Sequence, residues 1–229
     1  MLGVAALLML LIGAGTWIAL THFRTPNKLI AAITDGGGTI ALTDAGALTG
    51  LSSVSPDEED LIRTALRTGR LPAGPPLLPA ASADMPALFG PAGTRVASDR
   101  PQFRWRAMRD ARTYRVTVFD DARQEVAHSA DLGVTWWRPE KPLPRGLRLS
   151  WQVTPGPPEP AQFEIVPAYA ASRIEAARAI RPPSHLLLAL LYAREGVRDE
   201  AATELTTLSA MNRNSPVVDS LVRSLDEKR

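Results

Sequence analysis

The hydrophobic pattern begins with an apolar run over residues 1–20 that contains no charged side chain. As a helix, a run of about 20 apolar residues matches a bilayer hydrocarbon core that is ~30 Å thick. Trp17 lies near its end and basic side chains follow soon after, as at a membrane interface. The pattern predicts a transmembrane anchor over residues 1–23.

A removed signal peptide is the alternative interpretation of this run. No Lys or Arg precedes it, and residues 21–23 form a poor cleavage site, so the anchor is favoured. Gly15 and Ala19 form a small-xxx-small pair, which lets membrane helices approach closely but is also common in any membrane helix. Gly15, Ala19 and Trp17 are therefore candidate contacts of the anchor with another subunit.

After the apolar run the pattern changes to short strand-like runs over residues 29–34, 39–43 and 47–51, separated by glycine-rich breaks. Such breaks between β-like runs are typical of consecutive hairpins. A phosphate-binding loop at the glycine triplet is the alternative, but no GK[ST] sequence and no βαβ pattern accompany it.

A helix follows, and its ends are marked by the sequence. Ser55 is a good N-cap, Pro56 suits the first helical position, and Glu58 completes a capping box. Gly69 suits the residue after the helix. We predict a small hairpin-plus-helix unit over residues 28–70 and a Pro-rich linker over residues 71–93.

Period-2 alternation dominates residues 94–166, which we predict to form an antiparallel β-sandwich. Five runs at roughly ten-residue spacing carry the alternation, and Trp136 lies in the third of them. Because adjacent strand residues face opposite sides, Trp136 and Trp137 cannot both be buried. One of them is a candidate docking side chain, or else a surface indole that lies over a neighbouring proline or Arg stem.

This region contains three motifs: Phe103-x-Trp105, Ala111-x-x-Tyr114-x-Val116-x-Val118, and Leu143-Pro144-x-Gly146 leading to Trp151-x-Val153. Over about seventy residues they resemble the motifs of a fibronectin type III domain. Where that family carries its corner tyrosine, this chain has Leu149. The resemblance therefore implies a sandwich without the corner hydrogen bond, and a shortened or variant sandwich stays open.

The last segment, residues 168–229, has a helical pattern with four runs. The positions Leu188-Ala189-x-x-Tyr192, Gly196, Ala201, Leu205 and Leu208 resemble one tetratricopeptide repeat. One repeat with its flanking helices implies a small docking module with Tyr192 as a candidate contact. The element order also resembles uncharacterised bacterial membrane proteins, some of which place the corresponding part outside the cytoplasm.

Charge is concentrated in the middle of a chain whose net charge is +2: residues 95–151 contain twelve Lys or Arg and seven Asp or Glu, a net charge of +5. A solvated sheet face is the simpler interpretation, and a patch facing anionic lipid or an acidic protein is the sharper one. Nucleic acid is not expected as a partner, because the arginines are spread through strands. No cysteine is present, which excludes disulfides and thiolate sites.

Residues for catalysis are few. The histidines His22, His128 and His185 fall in three different segments, and Asp120-Asp121 follow a predicted strand as a turn would. A hydrolase that depends on Asp120 or His128 is a minor hypothesis. We expect no enzyme, no cofactor, no metal and no small-molecule substrate.

The sequence thus predicts a multidomain α+β protein made of an N-terminal transmembrane helix, a hairpin–helix unit, a sandwich and tetratricopeptide-like α-hairpins. The function it favours is a non-catalytic accessory subunit of a larger bacterial membrane complex, respiratory or photosynthetic, whose partners are the bilayer and other membrane-protein subunits. An envelope sensor that uses the sandwich to bind a ligand is the alternative. The expected location is the inner membrane with the soluble part in the periplasm, although the charge bias favours the cytoplasmic side.

Overall fold

The computed structural model describes residues 28–51, 54–76, 78 and 88–227. This part of the chain contains eleven strands and five helices, so the predicted α+β class is confirmed. It divides into two hydrophobic cores, one in a mixed helical body and one in a β-sandwich.

The predicted hairpins form a three-stranded antiparallel sheet of β1 (Leu29–Asp35), β2 (Gly38–Thr43) and β3 (Leu48–Thr49). Helix α1 (Pro56–Thr68) follows, and its predicted ends are confirmed. Ser55 Oγ accepts from the Glu58 N–H, and the Glu58 side chain accepts from the Ser55 N–H in return. This reciprocal capping is why the helix begins where the sequence predicts.

The sandwich consists of a three-stranded sheet and a five-stranded sheet whose buried side chains form one core. Phe103 lies 5.0 Å from Trp151 and 5.5 Å from Phe163, measured between ring centroids, and these contacts join the two sheets. The three-stranded sheet has the order β4 (Leu88–Gly90), β6 (Phe103–Trp105), β9 (Trp136–Trp137). The other has the order β5 (Thr94–Val96), β11 (Ala161–Ile165), β10 (Arg148–Thr154), β7 (Arg115–Phe119), β8 (Glu125–His128).

Strand β4 falls in the segment that the sequence predicts as a linker. It forms because Leu88 is buried in the sandwich core and pairs with Trp105, which gives this proline-flanked stretch a place at the sheet edge. Leu149, which stands at the position of the family's corner tyrosine, is also buried. Tyr114 makes a different hydroxyl contact, since its Oη accepts from the Met108 N–H at 3.0 Å.

Four helices follow the sandwich, close to the predicted positions. They are α2 (Ala168–Ala179), α3 (His185–Glu195), α4 (Arg198–Met211) and α5 (Pro216–Asp226). Helix α3 is buried at every position from 186 to 193 because α1, α2 and α4 all pack against it. A helix that is apolar all round is a core helix, which explains its composition.

The sequence separates the hairpin unit from the C-terminal helices, whereas the structure packs both into one core. Ile33, Ile40 and Ile62 from the first segment share this core with Leu190 and Leu205 from the second. The sandwich is therefore inserted, along the chain, between two halves of the helical body.

Two polar contacts fix the first sheet to the helices. Asp35 is buried and accepts hydrogen bonds from Ser184 Oγ at 2.6 Å and from the N–H groups of His185 and Leu186 at 2.8 and 3.1 Å. Asn212 pairs with the edge of β1, because its Oδ1 accepts from the Thr34 N–H and its Nδ2 donates to the Thr34 carbonyl. Asp35, the first residue of the predicted break, thus supplements the N-terminal cap of α3, whose N-cap residue is Ser184.

The described structure contradicts the expectation of a single-pass inner-membrane protein. No helix within the described residues is long and apolar enough to cross a membrane. The longest, α4, has 14 residues, which at 1.5 Å per residue is about 21 Å, short of a ~30 Å hydrocarbon core. The predicted anchor over residues 1–23, with its contacts Gly15, Trp17 and Ala19, lies outside the described residues.

Candidate docking surface

The outer side of the short sheet β4–β6–β9 carries exposed aromatic and cationic side chains. Phe103 and Trp105 of β6 point into the sandwich and are buried, so Arg104 between them points outward. Arg104 pairs with Trp136 of β9 on one side and with Gly90 of β4 on the other. An arginine thus lies in the middle of this sheet face.

The two adjacent tryptophans take opposite roles. Trp137 is half-buried and stacks on Phe103, with ring centroids 5.4 Å apart. Trp136 points outward and 51% of its surface is exposed. The sequence left open which of the two is exposed, and the register of β9 against β6 assigns that position to Trp136.

A second exposed aromatic lies at the other edge of the same sheet. Phe89 of β4 is 55% exposed at an irregularity in the pairing of β4 with β6. The Arg106 guanidinium lies over its ring, 5.8 Å from the centroid, at cation–π range. We call Phe89, Arg104, Arg106, Trp136 and Arg138 the aromatic–arginine face.

The arginines of this face have no acidic partner in the described part of the chain. None of Arg104, Arg106 and Arg138 has a carboxylate oxygen within the 4.0 Å limit of an ion pair. All three are exposed. No ion pair within the described residues uses their charge, which is therefore available to a partner.

The face continues into a cleft of about 530 Å³ between the sandwich and the helical body. Phe89, Arg138 and the glycine-rich turn between β4 and β5 line it on the sandwich side. The other wall consists of the first residues of α4 and the last residues of α5. We call this space the junction cleft.

The two walls of the junction cleft carry opposite charge. Arg100 and Arg138 come from the sandwich, whereas the helices contribute Asp199, Glu200 and Asp226 together with one cation, Arg198, so the helical wall has a net negative charge. Burial raises the pKa of the Glu200 carboxyl above its ordinary value of 4.5. Glu200 is therefore a carboxylate with incomplete hydration on the helical wall.

Contacts at the junction hold the two walls in position. Arg95 of β5 pairs with Glu164 at 2.9 Å and donates to the Pro76 carbonyl at 3.0 Å. The segment over residues 71–76 lies directly on the end of α3, because a Cβ added to Gly74 would come within 2.5 Å of the Ala193 carbonyl oxygen. The sandwich and the helical body on either side of the cleft are therefore in direct contact, through Arg95 and the segment over residues 71–76.

Tyr192, which the repeat resemblance suggested as a contact, lies inside the helical body. It is fully buried, and the Arg178 guanidinium lies 5.4 Å from its ring centroid. Burial raises the pKa of Tyr192 to about 12. The residue packs the repeat-like helices and offers no surface to a partner.

The candidate catalytic residues are placed apart. Asp120 accepts a hydrogen bond from the Gln124 N–H within its turn, and His128 lies beside Glu125 on an exposed strand. His185 contacts Glu204 at 2.7 Å in the helical body. Within the described ranges, no three His, Asp or Glu side chains converge as metal ligands would.

Sequence reasoning missed Phe89 and did not separate the arginines of the face from the other arginines of the sandwich. Phe89 lies in the predicted linker, so its strand was not expected. Alternation over residues 103–106 does place Arg104 and Arg106 on the outer side, but only the pairing with β4 and β9 brings Phe89 and Trp136 beside them.

Comparison with known proteins assigns no relationship to this chain. No family model matches the sequence, and no curated protein matches it.

Proposed function

We propose that this chain is a non-catalytic accessory protein that docks a partner protein at the junction cleft and the aromatic–arginine face. The observation that carries the proposal is the exposure of Phe89 and Trp136 on one sheet face beside arginines without acidic partners. Exposed aromatics and arginines are the residue types enriched at protein–protein interfaces.

The architecture supports the same proposal. A sandwich and a helical body enclose a cleft large enough for a short peptide segment, and both walls carry charged side chains. The strongest carboxylate–histidine contacts, Glu125 with His128 and Glu204 with His185, lie outside the lining of that cleft. The charged side chains and the Phe89 ring that line the cleft are groups suited to recognition of a partner.

The test is purification of the affinity-tagged full chain from its own host, with a variant that fills the cleft. Ala202 lines the junction cleft on α4, and Ala210 is exposed further along the same helix. Ala202→Arg should remove a partner that copurifies in fixed ratio with the wild type. Ala210→Arg adds the same side chain to the same helix and should retain that partner.

Two results would contradict the proposal. One is a wild-type chain that purifies as a monomer without a partner, and the other is a partner that Ala202→Arg still retains at the wild-type ratio. Circular dichroism of both variants shows whether each has folded, so that loss of the partner is assigned to the cleft.

A further inference from the structure

The chemistry of the surface specifies the partner more narrowly, and this step rests on the proposed docking function. We infer that the aromatic–arginine face binds an acidic, extended segment of a partner protein that also carries aromatic or aliphatic side chains. Three properties of the surface favour such a segment: the charge of the face, its dimensions, and the charge of the wall next to it.

The charge of the face favours carboxylates. Arg104, Arg106 and Arg138 are exposed and unpaired in the described structure, and neither β4, β6 nor β9 contains an acidic residue. Guanidinium groups bind carboxylates through two parallel hydrogen bonds. The contact of Arg106 with the Phe89 ring holds one guanidinium in place while its outer N–H groups remain free to donate.

The size of the face favours a peptide. Three neighbouring strands spaced by about 4.8 Å span roughly 10 Å, and each strand here is two or three residues long. One extended chain of a few residues covers such an area. Phe89 and Trp136 at its two edges then provide apolar contacts for side chains on the same side of the segment as the carboxylates, two residues away from them in the extended chain.

The neighbouring wall disfavours a continuous polyanion. Across the junction cleft from Arg100 and Arg138, the helical wall carries three carboxylates and one guanidinium, those of Asp199, Glu200, Asp226 and Arg198, and so remains net negative. A nucleic acid strand or an anionic lipid surface carries regularly repeated phosphates, and these would meet the carboxylates of the helical wall. A peptide can place acidic residues on the face and neutral or basic residues beside that wall.

The binding test uses the full chain and a fluorescein-labelled peptide that repeats glutamate–serine–tyrosine–serine, which in an extended chain places glutamate and tyrosine on the same side. The double variant Arg104→Ala with Trp136→Ala should weaken binding about tenfold or more, as loss of a central Arg and Trp does at interfaces. The matched control is Leu147→Ala with Arg148→Ala, which removes an exposed leucine and an exposed arginine of the other sheet. It should bind the peptide within about twofold of the wild type.

Competing probes make the inference falsifiable. A peptide that repeats lysine–serine–tyrosine–serine, single-stranded oligothymidine, and vesicles containing phosphatidylglycerol should all bind more weakly than the acidic peptide. The inference is overturned if any of them binds as tightly as the acidic peptide, or if the face variant binds like the control. If Ala202→Arg loses the partner but the wild type does not bind the acidic peptide, the docking function stands and only this inference is overturned. If the wild type binds the peptide but copurifies with no partner, only the docking function is overturned.

Discussion

Replacement of Asp35 tests how the first sheet is fixed to the helical body. The side chain is 3% exposed, and its two oxygens accept from Ser184 Oγ and from the N–H groups of His185 and Leu186. Those two N–H groups belong to the first turn of α3, where no carbonyl of the helix itself can accept them. Asp35→Ala would leave both without their acceptor in a buried site.

The cost follows from these contacts. A hydrogen bond to a charged group contributes about 1.5–3 kcal/mol, and a buried donor without a partner costs about 1–3 kcal/mol. Because bonds to one carboxylate are not additive, we expect Asp35→Ala to lower the free energy of unfolding by about 3–5 kcal/mol. Asp35→Asn keeps one acceptor oxygen and the side-chain shape, so its loss should be smaller, about 2 kcal/mol.

Urea unfolding of the full chain provides the assay, with two probes. Far-ultraviolet circular dichroism follows the helices, whereas four of the five tryptophans belong to the sandwich, so fluorescence follows that core. Asp44→Ala is the control, because Asp44 is exposed and its carboxylate accepts from the N–H of the adjacent residue Ala45, and it should change stability by less than about 0.5 kcal/mol. A loss below about 1 kcal/mol for Asp35→Ala would refute the capping argument.

Two further predictions concern other parts of the helical body and use the same assay. Burial raises the pKa of Tyr192 from 10.0 to about 12, so the free energy of unfolding should be highest below pH 10 and fall as the pH rises toward 12. Tyr192→Phe should lack that loss and should match or exceed wild-type stability at neutral pH. A decline in the variant equal to that of the wild type would contradict this prediction. Gly50 has φ 83°, and an added Cβ would lie 1.9 Å from the Thr39 carbonyl oxygen, whereas the space around Gly38 is open to 4 Å. Gly50→Ala should therefore cost more than about 2 kcal/mol and Gly38→Ala less than about 1 kcal/mol, and equal losses would show that the turn relaxes.

Helices and strands were predictable from the sequence where the contacts that form them lie between residues close together in the chain. The start of α1 depends on Ser55, Pro56 and Glu58, whose contacts span three residues, so the sequence alone places it. Alternation of apolar and polar residues placed β7 and β10 for the same reason, since burial of every second side chain is visible in successive residues of the sequence. In contrast, β4 depends on its partner β6, so its sequence predicted a linker.

The candidate surface was predictable only in part. Strand geometry required one of Trp136 and Trp137 to face outward, but the choice depends on the register of β9 against Phe103. Tyr192 matched a repeat pattern, yet the hairpin unit and α1 complete the core around its helix and leave it buried. Burial of a single residue is decided by everything that packs on it, including segments distant in the chain.

The sequence by itself determined the element types, the helix caps, the glycine-rich turns and the concentration of arginine in the sandwich, because each depends on neighbouring residues. Only the tertiary structure decided that residues 28–70 and 168–229 share one core, with Asp35 and Asn212 making contacts over 150 residues or more. It also decided that Phe89, Arg104 and Trp136 form one face beside the junction cleft. Long-range pairing brings these residues together, and no spacing along the chain records it.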